Sequence, residues 1–185
     1  MNRRPLYGAL LALVFFQQPA LSAPEGPDSE AKPRLVEVDR AEYEQFLGWK
    51  ETQARQQENI DTVRAVLAAE AKGDTEAFFA HFSSDSEFWM NAASPDSGTL
   101  EGVAAQKEAF DHFMGQLVSG ISMNITNTLA AGDWVVTETV GAAETLDGRP
   151  YNGHYCQLWK FEGAEVVKFR EYLDTKLLAE TFISE

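Results

Sequence analysis

From Ile121 onward the chain is a succession of alternating, strand-like segments cut by short glycine turns, and this run constrains the fold more than any other feature. Ile121 to Ala130, Trp134 to Thr145, Tyr151 to Phe161 and Val166 to Thr175 are joined by turns at Gly132-Asp133, Asp147-Gly148 and Gly163. Turns this short connect antiparallel neighbours, so the four segments read as a meander. Alternation gives each strand an apolar face, and such a face has to be covered by another layer.

The covering layer is written upstream, where the apolar period changes from two to about 3.6. Ile60, Val63, Val66, Leu67 and Ala71 form one stripe of a helix that begins near Gln57 and ends at Lys72-Gly73, a C-terminal glycine signal. Asp74 can cap a short second helix from Thr75 to Phe82. A strand at Glu87 to Asn91 and a loop with Pro95 and Gly98 follow. Glu101 to Leu117 then reads as a third helix that buries Val103, Phe110, Phe113 and Leu117. Three helices followed by a long antiparallel sheet predict an α+β domain in which the helices cover one face of a curved sheet.

The first 57 residues are different in kind. Residues 1–23 have the order of a secretory signal: Asn2-Arg3-Arg4, an apolar run from Leu6 to Phe16, and Ala20-Leu21-Ser22-Ala23. That run is well short of the roughly 20 apolar residues a spanning helix needs. Residues 24–38 are rich in Pro, Glu, Lys, Asp and Ser and read as a disordered linker. Residues 39–57 carry Tyr43, Phe46 and Leu47 at helical spacing and read as an accessory helix, leaving 58–185 as the main domain. The expected product is an exported periplasmic or extracellular protein, with no membrane partner after signal cleavage.

With 15 Lys and Arg against 29 Asp and Glu, the net charge is −14, which repels phosphate backbones and argues against a nucleic-acid partner. The single cysteine, Cys156, precludes an intramolecular disulfide and has no local nucleophile signature. The three histidines, His81, His112 and His154, show no metal-ligand spacing, and no glycine-rich phosphate loop is present, so neither metal nor cofactor is expected.

Strand parity singles out the candidate site. Val167, Phe169, Glu171 and Leu173 share a face of the last segment, which sets a carboxylate among apolar neighbours. Glu138 shares a face with Trp134, Val136, Val140 and Ala142, and Asn127 one with Ile121, Met123, Ile125 and Leu129. Two carboxyls in one poorly solvated site can be driven to different pKa values, which makes Glu171 and Glu138 candidate acid and base. His154, with an ordinary pKa of about 6.5, is a third catalytic candidate. Trp89, Phe110, Phe113, Met114 and Phe169 are the candidate pocket walls, with Asn127 as a polar ligand contact. The register between the last two strands stays open. A two-residue loop at Gly163-Ala164 sets Cys156 opposite Glu171, whereas a three-residue loop sets Gln157 there and Trp159 opposite Phe169.

Four stretches carry a family resemblance: Ala71-Lys72-Gly73-Asp74, Leu100-Glu101-Gly102, Asp147-Gly148-Arg149-Pro150-Tyr151 and Phe169-Arg170-Glu171-Tyr172-Leu173-Asp174. With the element order, they resemble the SnoaL-like branch of the nuclear-transport-factor-2-like (NTF2-like) superfamily, to which ketosteroid isomerases, limonene epoxide hydrolases and polyketide cyclases belong. The resemblance spans about Asn59 to Phe182. It implies a cone of sheet and helices around an apolar pocket for a small apolar molecule, with acid/base residues and no cofactor. It also implies a sheet that can serve a homodimer, and it covers non-catalytic binding proteins as well as isomerases and cyclases. The chain departs from two of the family's chemistries. The isomerase tyrosine falls near Val66 and its aspartate at Met90 or Asn91. The hydrolase arginine and aspartate positions hold Thr139 and Gly141.

Overall fold

The computed structural model describes residues 37–91 and 98–182 in two units, one up to Glu51 and one from Thr52 on. In the first unit, helix α1 (Arg40–Glu70) begins with an Arg40–Glu44 ion pair of 2.9 Å, and Phe46 and Trp49 stack with centroids 6.0 Å apart. The helix continues unbroken through Gly48 to Glu70, so the accessory helix and the first helix of the domain are one element. A single glycine costs a helix only about 1 kcal/mol, which 30 other residues can absorb. Residues 1–36, which hold the expected signal and all but the last two residues of the expected linker, lie outside the described residues.

In the second unit α1 is followed by α2 (Thr75–Phe79), β1 (Phe82–Met90), β2 (Gly98–Glu101), α3 (Val103–Met114), β3 (Ser122–Ala131), β4 (Trp134–Glu144), β5 (Pro150–Glu162), β6 (Glu165–Tyr172) and α4 (Thr175–Phe182). The meander is β3 to β6, as alternation predicts. The six strands form one curved sheet in the order β2-β1-β6-β5-β4-β3, and the α+β class holds. The sheet is mixed, because β1 lies parallel to β6 and carries β2 as a short antiparallel edge. Gln106 ties this corner together: its amide donates to the Ser86 and Leu100 carbonyls at 2.5 and 3.2 Å, fixing α3 to both strands.

Two elements were not legible as such. Strand β2 has only four residues, beyond the reach of any periodicity. Helix α4 takes over where the last strand was expected to continue, because Asp174 accepts from the Lys176 and Leu177 amides at 3.0 Å and caps it.

The inner face of the sheet, toward the helices, carries two apolar clusters. One joins Val63, Val66, Leu67 and Ala69 of α1 to Phe78, Phe79, Phe82, Val135, Trp159, Phe161 and Phe169. Trp159 and Phe169 stack at 4.0 Å and Phe88 stacks on Phe169 at 5.1 Å, and aromatic pairs of this kind gain beyond their area burial. The other cluster joins Leu117, Ile121, Tyr151, Tyr155 and Leu178 to Met90, Phe113, Met114, Leu173 and Phe182.

Two bulges set which side chains face inward. Ile125 pairs with Thr139 but Asn127 pairs with Glu138, so Thr126 is an extra residue and the parity of β3 flips behind it. On the last hairpin Glu162 pairs with Glu165 across a two-residue turn, and then a bulge at Val167 shifts the register. Gln157 therefore faces Glu171 and Trp159 faces Phe169: the turn of one alternative carries the register of the other.

Candidate functional site

Between the two clusters runs a polar layer. Along β6 it is Glu171 that stands between Phe169 and Leu173; along β5, Gln157 between Trp159 and Tyr155; along β4, Thr137 and Thr139 beyond Val135. The Gln157 amide donates to Glu171 Oε1 at 2.9 Å, its carbonyl accepts from Thr137 Oγ1 at 3.1 Å, and Thr137 accepts from the Trp159 indole at 3.2 Å. Gln157, Thr137 and Trp159 are wholly buried, so this chain aims one carboxylate oxygen without help from solvent.

Glu70, in the last turn of α1, is the second carboxyl of the layer. It is buried, and its Oε2 has no hydrogen-bond partner among the described residues. Burial pushes its pKa well above the ordinary 4.5, and the charge of Glu171 pushes it further. Burial likewise raises Glu171 to about 7, against the opposing hydrogen bond from Gln157. Glu171 keeps part of its surface open, so it can exchange a proton near neutrality, and burial favours the protonated form of Glu70 as well.

Two tyrosines of β5 complete the layer. The Tyr155 ring lies over Gly141, where a Cβ would come within 2.6 Å of it, so the glycine makes room for the ring. The Tyr155 hydroxyl is buried beside that of Tyr151 but makes no hydrogen bond of ordinary geometry among the described residues. Burial raises both phenols, Tyr151 to about 12, and both stay protonated as potential donors.

The structure brings Phe110, Phe113, Met114, Phe169 and Glu171 to the inner face. It does not bring Glu138, His154, Asn127 or Trp89 there. Glu138 and His154 have the opposite parity to Thr137 and Tyr155 and are exposed on the outer face, where Asn127 donates to Glu138 at 3.3 Å. Asn127 was expected beside Met123 and Ile125, and the bulge at Thr126 turns it outward. Trp89 is one residue out of phase with Phe88 and lies against Tyr172 on the outer face, centroids 5.2 Å apart. Glu138, His154, Cys156 and Tyr172 line an open groove there of about 480 Å³. Burial, and then the charge of Glu138, raise the Cys156 thiol, which disfavours the thiolate. Among the described residues no group of three or more His, Cys, Asp or Glu is placed to hold a metal ion, and no helix is long and apolar enough to cross a membrane.

Sequence reasoning missed Glu70 and Tyr155, although both left a signal. Glu70 follows Val63, Val66 and Leu67 at helical spacing on the buried stripe, and Tyr155 has the parity of Gln157 and Trp159.

A helix-covered mixed sheet with this strand order defines the NTF2-like class, and solved structures share it. Bal32a, from a soil-derived mobile gene cassette, is 22% identical, with 68% of this chain and 97% of that one covered at a TM-score of 0.61. TerC, co-crystallized with polyporic acid, is 22% identical, covering 69% and 99% at 0.61. A putative isomerase from Bacillus subtilis is 20% identical, covering 68% and 93% at 0.60. No curated protein matches significantly in sequence. The SnoaL-like domain profile matches residues 63–169, more than half of the chain, and the chain belongs to that family.

Proposed function

We propose that this protein binds a small, mostly apolar molecule bearing a carbonyl or hydroxyl oxygen at Glu70, Glu171 and Tyr155, and moves a proton on it as a cofactor-independent isomerase or cyclase. The observation that carries this reading is the buried Glu70 Oε2, without a hydrogen-bond partner among the described residues, in one layer with the Tyr155 hydroxyl, whose neighbour is that of Tyr151, and with a carboxyl raised to about 7. An unsatisfied buried polar group costs about 1–3 kcal/mol, and a ligand oxygen that accepts from it recovers that cost. In the step proposed, the Glu171 carboxylate takes a proton from a carbon next to a carbonyl. Protonated Glu70 or Tyr155 donates a hydrogen bond to the oxygen that gains charge. Glu171 then returns the proton to another carbon of the same molecule, so the net reaction is an isomerisation. Two proteins that share the fold support the reading: TerC was co-crystallized with polyporic acid, and a protein with a ketosteroid isomerase-like fold from Catenulispora acidiphila was crystallized in complex with trimethylamine.

The test is solvent deuterium uptake by a panel of cyclic enones, followed by NMR. The wild type is expected to exchange a carbon-bound proton on at least one of them, and Glu171→Gln to slow that exchange by about 10²–10⁴-fold with the circular dichroism unchanged. Exchange by the variant at the wild-type rate removes Glu171 from the mechanism. A second reading, a non-catalytic binding protein, is favoured by the Trp159–Thr137–Gln157 chain, which holds Glu171 as a fixed recognition group. Under that reading no enone exchanges, yet native mass spectrometry finds a small molecule retained by the purified protein.

Export is part of the same proposal and rests on residues 1–23, outside the described residues. N-terminal sequencing of the protein from its host is expected to start at Ala23 or Pro24. A mature chain that begins at Met1 would overturn it.

A further inference from the structure

The outer face of the sheet holds a second concavity, of about 280 Å³, over β2, β1 and β6. Its lining is Glu87, Trp89, Thr99, Lys168, Arg170 and Tyr172. The pairing fixes their order: Trp89 lies between Thr99 and Arg170, and Glu87 lies opposite Lys168. Lys168 is neutralised by Glu87 at 2.7 Å. Arg170 is exposed and makes no ion pair or side-chain hydrogen bond among the described residues, although the chain carries 29 carboxylate side chains. Beside it the Trp89 and Tyr172 rings meet at 60° and form an angled apolar wall.

We infer that this cleft is a binding site for a small organic carboxylate built on a flat ring. Two cations and one anion line it, so one positive charge is left for the ligand, and a guanidinium offers a carboxylate two parallel donors. Trp89 and Tyr172 take the flat body, and the Thr99 hydroxyl is the remaining polar contact. A volume below the usual range of about 300–1,000 Å³ for drug-sized ligands restricts the occupant to roughly a single ring. A neutral sugar would leave Arg170 uncompensated, and a nucleotide exceeds the space and meets Glu87. The site is independent of the Glu70 and Glu171 layer, since Arg170 and Glu171 point to opposite faces of β6.

The test uses benzoate as probe, titrated into the full chain and followed by the indole N–H resonances of its four tryptophans, with Trp89 assigned by Trp89→Phe. Benzoate is expected to shift the Trp89 signal saturably. Arg170→Gln, an exposed substitution, should weaken binding by about tenfold or more, and benzyl alcohol should bind the wild type weaker by a similar factor. Glu171→Gln should keep the benzoate affinity, which separates this site from the inner layer. The inference is overturned if benzoate leaves Trp89 unmoved, if Arg170→Gln binds as tightly as the wild type, if benzyl alcohol equals benzoate, or if Glu171→Gln abolishes the shift.

Discussion

Gly120→Ala is expected to be the most damaging glycine-to-alanine change among the described residues. A Cβ at Gly120 would lie 1.9 Å from the Glu70 carbonyl oxygen, 2.5 Å from the Gly73 nitrogen and 2.7 Å from the Ala71 carbonyl carbon, all of them backbone atoms. No rotamer change relieves contacts of that kind. The α1 terminus has to move, and it is held by its own cap: Gly73, at φ +64°, donates to the Glu70 carbonyl at 2.9 Å, and Asp74 to that of Ala69 at 3.1 Å. We expect a loss of about 4 kcal/mol or more, and a melting temperature roughly 10 °C lower for a chain of this size. The same shift displaces Glu70, so any substrate or ligand of the inner layer should be lost even under conditions where the variant folds. Thermal denaturation within a degree or two of the wild type would mean that Gly120 does not press on the helix end.

The second large effect is a dependence of stability on pH with an unusual sign for carboxylates. Glu171 is raised from 4.5 to about 7 and Glu70 is raised well above 4.5, both chiefly by burial, so the folded state holds these protons more tightly than the unfolded chain. The Glu171 contribution is therefore fully present below about pH 4.5 and is lost as the pH rises through about 7, and that of Glu70 likewise declines as the pH rises above 4.5. Asp85 and Asp147 act in the opposite sense: hydrogen bonds from Ser83 and Thr145 lower them, so their contribution fades as the pH falls below the ordinary 3.8. Chemical denaturation from about pH 5 to about pH 8 should show a decline of a few kcal/mol, since one pKa unit is worth about 1.4 kcal/mol. The general repulsion of a chain with net charge −14 also grows with pH, so the control is the Glu70→Gln, Glu171→Gln double variant, which should lose most of the slope. An unchanged slope would place the pH sensitivity elsewhere.

Both effects depend on where an element ends or turns, and there the sequence is least explicit. The period-two runs located β3 to β6 to within a few residues, and the change to helical period located the second half of α1 and α3. Glu171 was legible because a carboxylate inside an apolar alternation is conspicuous. Its companions were not. The partner carboxyl comes from a helix about 100 residues earlier, and no local pattern states which helical turn meets which strand. Glu138 and Asn127 look equally conspicuous within their own strands, yet each faces outward, Glu138 because the covered face of β4 is the one with Val135 and Thr137, Asn127 because of the bulge at Thr126.

By itself, then, the sequence determined the α+β class, the meander, the helical cover and one member of the polar layer, because these follow from short-range periodicity and turn chemistry. Only the tertiary structure decided that Glu70, Gln157, Thr137, Tyr155 and Glu171 form one layer, and that Trp89, His154, Glu138 and Asn127 belong to the other side of the sheet. The physical reason is parity. A strand's alternation says which residues share a face but not which face is covered, and one bulged residue, at Thr126 or Val167, reverses the answer for every side chain beyond it.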